Sequence, residues 1–172
     1  LVELQISSYN LPPVEDIVFE GCKFIGSDPN GTETGIALSS VTKDIIILGN
    51  TFIRFLNGIS SSLNSTENIV IESNQFLAGW RSSSGSGGPL GFAMEIYCKN
   101  LIIKRNIIDF NGSLNGGYLG IYVNVIDGSQ FLIIEENLIK GSVSQAIYLY
   151  GGAGADSTVI ANNIINVYAF SV

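Results

Sequence analysis

The sequence predicts an all-β chain wound as a parallel solenoid of about six coils, with a column of asparagines running inside it. Three observations lead there. A motif that reads apolar-x-apolar-x-x-Asn-x-apolar recurs along the 172 residues, with successive pivots 24 to 32 residues apart. A second short apolar run precedes most pivots at a nearly constant offset. Helix signals are nearly absent, because β-branched residues alternate at period two and Gly or Asn interrupts them every few positions.

Taken in order, the repeated segments start at Ile17, Ile45, Ile69, Leu101, Leu132 and Thr158, and their pivots are Cys22, Asn50, Asn74, Asn106, Asn137 and Asn163. The preceding runs are Gly35–Leu38, Gly58–Ser60, Gly91–Met94, Gly120–Val123 and Ala146–Leu149, so each turn of the repeat carries three strands. A sandwich of hairpins would show two-residue turns and no returning side chain. A parallel solenoid does require that return, because equivalent positions stack at about 4.8 Å and must tolerate their own kind as neighbours. At the sharp turn after the second strand, an Asn amide can donate to one coil and accept from the other, and Asn tolerates the left-handed backbone of a tight corner. Cys22 is expected to take the first pivot as a small buried substitute, and Cys98 to lie at a different corner, too far away for a disulfide.

Composition removes whole classes of function. Eight Lys plus Arg against fifteen Asp plus Glu give a net charge of −7, which repels phosphate backbones, so no nucleic-acid partner is expected. The absence of His removes Ser-His-Asp and Cys-His catalysis and His-based zinc sites. Two cysteines supply too few ligands for a metal site. No apolar run approaches the roughly 20 residues of a membrane-spanning helix. The chain is expected to form one domain over residues 1–172. Neither terminus reads as a cap, so that domain is expected to be part of a longer solenoid or to contact other copies.

From about residue 14 to 172, the Gly-Ile-x-apolar run followed by Asn-Ile-Ile-x-x-Asn-x-apolar resembles the right-handed parallel β-helix, or pectin-lyase-like, superfamily. The resemblance implies a right-handed single-stranded parallel β-helix. It says less about activity, since that fold hosts pectate and alginate lyases, polygalacturonases, phage tailspikes, adhesins and structural proteins.

Period two from each pivot assigns the faces. On the second strand of each coil Val18, Ile46, Val70, Ile102, Ile133 and Val159 point outward, a strip roughly 25 Å long that suits a packed partner, from another copy or from the rest of a longer chain. On the first strand Ile36, Leu38, Ile59, Phe92, Met94, Ile121, Val123, Ile147 and Leu149 are expected inside, and Ala37, Ser60, Ala93, Glu95, Tyr97, Tyr122, Asn124, Tyr148 and Tyr150 outside. Tyr122 and Tyr148 should stack. In the enzymes this chain resembles, that first sheet and its loops hold the polysaccharide. Trp80 and Arg81 on the loop 78–90, and Tyr118 on the loop 110–119, join the outward set as a candidate glycan platform of flat apolar rings with a polar rim.

A catalytic constellation is harder to find. Glycoside hydrolysis takes two carboxylates about 5 to 9.5 Å apart, and the outer first sheet offers only Glu95. Arg81 with Glu95 is the weak candidate for a lyase pair, and Glu20, Glu72, Glu135 and Glu136 form an acidic corner where Ca2+ could bind. Asn30, Asn64 and Asn111 head Asn-x-Ser/Thr sequons that glycosylation would use on an exported protein. The expected function is therefore an extracellular, non-catalytic β-helix module at a cell or virion surface that binds polysaccharide or builds an assembly. A polysaccharide lyase or glycoside hydrolase, and a purely structural filament or spike subunit, are the alternatives.

Overall fold

The computed structural model describes residues 4–6, 14–26, 33–38, 42–61, 66–77, 91–111, 118–126, 128–150 and 155–168. Every strand pairing is parallel and joins a residue to its equivalent one coil away. The first coil contributes β1 (Leu4–Ile6), β2 (Val14–Glu20) and β3 (Lys23–Ile25), and the second β4 (Thr34–Leu38), β5 (Thr42–Leu48) and β6 (Thr51–Ile53). The third has β7 (Asn57–Ser61), β8 (Glu67–Glu72) and β9 (Gln75–Leu77). In the fourth, β10 (Gly91–Lys104) turns a corner without a break and β11 (Ile107–Phe110) follows. Next come β12 (Tyr118–Val125), β13 (Phe131–Glu135) and β14 (Leu138–Tyr150), which also rounds a corner, then β15 (Ser157–Ala161) and β16 (Ile164–Tyr168). Three parallel sheets result. Sheet A runs β1-β4-β7-β10-β12-β14, sheet B β2-β5-β8-β10-β13-β15 and sheet C β3-β6-β9-β11-β14-β16.

The predicted asparagine column exists and is continuous. Asn50, Asn74, Asn106 and Asn137 are almost wholly excluded from solvent. The Asn50 backbone N–H and Nδ2 donate to Asn74 Oδ1 at 2.8 and 3.1 Å, and Asn74 repeats both bonds to Asn106 at 2.9 and 3.1 Å. Asn106 does the same to Asn137, and Asn137 to Asn163, at 3.0 Å throughout. Each Nδ2 also reaches a main-chain carbonyl at the preceding coil, as Asn106 does to Ile71 O at 2.9 Å. Every amide of the column is thereby satisfied, which makes burial of so polar a group tolerable.

Two expectations about this corner need correction. The left-handed residue is the one before each pivot, not the pivot itself: Gly21, Gly49, Ser73, Arg105, Glu136 and Asn162 have φ between 55° and 64°. Those positions face solvent, so the side chain there is free to vary; the backbone N–H still bonds the next coil, as Arg105 does to Glu135 O at 3.2 Å, while the pivot side chain carries the ladder. Cys22 is exposed rather than buried, since among the described residues no rung packs beneath the first coil at that corner. Its backbone N–H still donates to Asn50 Oδ1 at 2.9 Å, and its Sγ lies 3.4 Å from Glu20 O. Cys98 is free and buried, as expected, and burial pushes its thiol well above the usual range.

The core is a set of like-on-like stacks. Ile45, Ile47, Ile69, Ile71, Leu101, Ile103, Leu132 and Ile134 fill it from sheet B, and all are buried. From sheet C, Phe24, Phe52 and Phe76 stack nearly parallel, with centroids 4.9 and 4.8 Å apart. Burying such side chains supplies about 1.5–3 kcal/mol each, so the interior rungs hold most of the stability.

Sheet A departs from strict alternation. Gly35 with Ile36, Gly58 with Ile59, Ala93 with Met94 and Gly120 with Ile121 are consecutive buried pairs at one register level. Ala93 is therefore inside and Phe92 half-exposed, the reverse of the period-two reading. The reason is space: a Cβ on Gly58 would lie 2.5 Å from the Phe76 ring and 2.7 Å from Ala93 O. A small residue must enter where the phenylalanine stack crosses the start of sheet A.

Candidate functional site

The outer face of sheet A gathers most of the described candidate residues. Register places Ala37, Ser60, Glu95, Tyr122 and Tyr148 in one column up the coils, with Tyr97, Asn124 and Tyr150 in the next. Tyr122 and Tyr148 stack as predicted, with centroids 5.4 Å apart and planes inclined by 28°. Tyr97 lies 5.9 Å from Tyr122 at 44°, and Phe92 meets the same ring edge-on at 5.6 Å and 70°. Tyr122 is thus the centre of an aromatic group to which Phe92, displaced outward by the packing of Ala93, adds a fourth ring. Strict alternation could not reveal Phe92. The signal that could have was the small residue at Gly35, Gly58, Ala93 and Gly120, each followed by a large apolar one.

Glu95 sits half-buried within this group. Asn57 Nδ2 donates to its Oε2 at 3.3 Å. Burial raises the carboxyl above its usual value, against the lowering effect of a hydrogen bond from Tyr97. The Tyr122 hydroxyl is pushed up to about 12, first by burial and then by the hydrogen bond with Tyr97 and the neighbouring Tyr97, Glu95 and Tyr148. Tyr122 therefore remains a neutral phenol across physiological pH. Glu95 is the one carboxylate among the described residues of sheet A, so no second carboxylate flanks it there. Trp80 and Arg81 lie outside the described residues, as do Asn30 and Asn64, while Tyr118 is placed only by its backbone at the start of β12. Asn111 is exposed at the turn after β11, where its backbone N–H donates to Asp109 Oδ1 at 3.0 Å.

On sheet B, Val18, Ile46, Val70, Ile102, Ile133 and Val159 occupy one register level and form the outward column expected of them. The first three floor a groove of about 310 Å³ whose wall is Asp16, Asp44 and Asn68. That wall is a second ladder, unpredicted: Asn100 Nδ2 donates to Asn68 Oδ1 at 2.9 Å, and Asn68 Nδ2 to Asp44 Oδ1 at 2.7 Å. All four residues are left-handed, with φ between 55° and 57°. Its trace in the sequence is an Asp or Asn directly before Ile17, Ile45, Ile69 and Leu101.

The acidic corner does not assemble. In register Leu48 separates Glu20 from Glu72, and Lys104 separates Glu72 from Glu135. Glu72 is also paired with Arg105. Among the described residues no group of three or more Cys, Asp or Glu comes together to hold a metal ion. No helix there is long and apolar enough to cross a membrane.

A family model described as a right-handed beta helix region matches residues 10–165, nearly the whole chain. The chain belongs to the right-handed β-helix family. No curated protein and no solved structure matches this β-helix with significance.

Proposed function

We propose that this β-helix is a non-catalytic carbohydrate-binding module, acting outside the cell or on a cell or virion surface, with the outer face of sheet A as its platform for polysaccharide. The observation that carries the reading is the Tyr122–Tyr148 stack flanked by Tyr97 and Phe92, an apolar surface of rings one coil apart with Glu95, Asn57 and Asn124 within the same face. Pyranose rings present flat C–H faces that lie on aromatic rings, while their hydroxyls need acceptors and donors at the edge, and this face offers both. Glu95, the one carboxylate among the described residues of this face, supplies a hydrogen-bond acceptor rather than the acid and nucleophile or base of a hydrolase. Binding of this kind needs no cofactor.

Affinity electrophoresis through gels containing neutral or uronic acid polysaccharides tests the reading. At least one polymer should retard the protein, and Tyr122→Ala or Tyr148→Ala should weaken that retardation about tenfold, the loss expected when a ring leaves a stacked site. Migration unchanged by every polymer overturns it, as does retardation that both substitutions leave intact.

A further inference from the structure

The asparagine-aspartate ladder on sheet B is interrupted at a definite place. From Asn100 to Asn68 to Asp44 each step is closed by an amide donor, but Asp44 and Asp16 are both acceptors in register one coil apart, with no donor between them. The Asp16 side chain has no hydrogen bond or ion pair among the described residues, and Asp44 has Lys43 at 3.7 Å besides its ladder bond. Beside this gap the floor of the groove is open, with Val18 56% and Ile46 40% exposed. An occupant that fits must bring apolar side chains to the floor and a cation to the gap.

The chain itself carries that complement on sheet C. Ile25, Ile53 and Leu77 stand in register and point outward, Ile25 being 52% exposed. Arg54 follows Ile53 at the end of the strand, exposed and left-handed (φ 63°), and it has no ion pair among the described residues. Both patches belong to the first three coils and rise with the same strand spacing, so two solenoids laid side by side match rung for rung. The sense of winding brings the charges together as well. When two copies with parallel axes face each other, their adjoining strands run in opposite directions, so the start of sheet B, where Asp16 and Asp44 lie, meets the end of sheet C, where Arg54 lies.

We propose that the protein associates side by side with a second copy of itself, sheet B of one packing on sheet C of the next, with Arg54 entering the gap between Asp16 and Asp44. The contact is heterologous, so it repeats from copy to copy until a rotation closes a ring. It is small, hence weak and dependent on concentration. It leaves sheet A open on every copy, and it does not depend on what that face binds.

Sedimentation velocity of the native chain across a wide concentration range reads the association. The weight-average mass should rise with concentration, and Ile46→Lys should hold the protein monomeric. Asp16→Asn with Asp44→Asn is a mild pair of changes, because Asn already fills this column at Asn68 and Asn100 with the same backbone. That pair, and Arg54→Asn, should each weaken association about threefold to tenfold at low salt. All three changes together should weaken it no further than either set alone, since partners in one contact are not additive. Circular dichroism confirms that each variant keeps the fold. A monomer at every concentration overturns the proposal, and so do losses that simply add, because then Arg54 and the aspartates do not touch.

Discussion

Asn106 shows how one side chain can be worth more than its hydrophobicity suggests. It accepts from the main chain and side chain of Asn74 and donates to Ile71 O and Asn137 Oδ1. Replacing it by Ala strands donors from the coil below in a dry interior, so Asn106→Ala should cost about 3 kcal/mol or more in urea unfolding. Arg105, directly before it, occupies the left-handed position and faces water, so Arg105→Gly should be nearly neutral apart from the lost pair with Glu72. Gly58→Ala should destabilise by about 1–3 kcal/mol, since the added methyl would strike the Phe76 ring. Glu95 behaves oppositely to a salt-bridged carboxylate. Burial raises its pKa in the fold, so its contribution to stability is fullest when it is protonated and is lost as pH rises through the raised value. Glu95→Gln should therefore raise Tm at neutral pH and leave it unchanged at pH 3. A rise that persists equally at pH 3 would point to packing instead.

Strands here are specified by columns more than by their own length. β3, β6 and β9 have only three residues each, too few to persist alone, and they hold because Phe24, Phe52 and Phe76 stack through them. Phe52→Leu should loosen both neighbouring rungs. The two cysteines offer a direct measure of element order. Cys98 lies inside β10 with its thiol held protonated by burial, whereas Cys22 lies exposed at the corner between β2 and β3. A thiol reagent at neutral pH should modify Cys22 within minutes and Cys98 only on unfolding. Equal rates would mean that β10 is not packed as described. The columns of this face were largely legible in the sequence, because Tyr122 and Tyr148, or Ile46 and Val70, recur at matching offsets from their pivots. Phe92 was not legible, because its direction depends on how Ala93 packs over Gly58 and the Phe76 ring of the neighbouring coil.

At the scale of the molecule, each coil touches only its neighbours, and stability is close to a sum of rungs and the interfaces between them. Among the described residues the pattern is visible in the outermost rung, where Ile165 is 49% exposed and its equivalent Ile139 is fully buried. Amide exchange should accordingly be slowest in β5, β8, the second half of β10 and β13, and fastest in β15 and β16, as hydrogen-exchange mass spectrometry would read. Uniform protection from end to end would show that the coils unfold as one unit. Lateral packing of copies through sheets B and C would add protection at β2 and β3, which contribute to both patches, and only at concentrations where association occurs.

What the sequence by itself determined is the winding: a polar pivot recurring between apolar neighbours can be satisfied only by its own kind one coil away, and that requirement alone implies parallel rungs, an inside and an outside. What only the tertiary structure decided is where local backbone geometry overrides period two. The left-handed residue falls before the pivot, Ala93 and Phe92 exchange faces beneath the phenylalanine stack, and Asp16 and Asp44 meet without a donor. Each of these depends on which atoms the neighbouring coil places within about 3 Å, and separation along the chain carries no record of that distance.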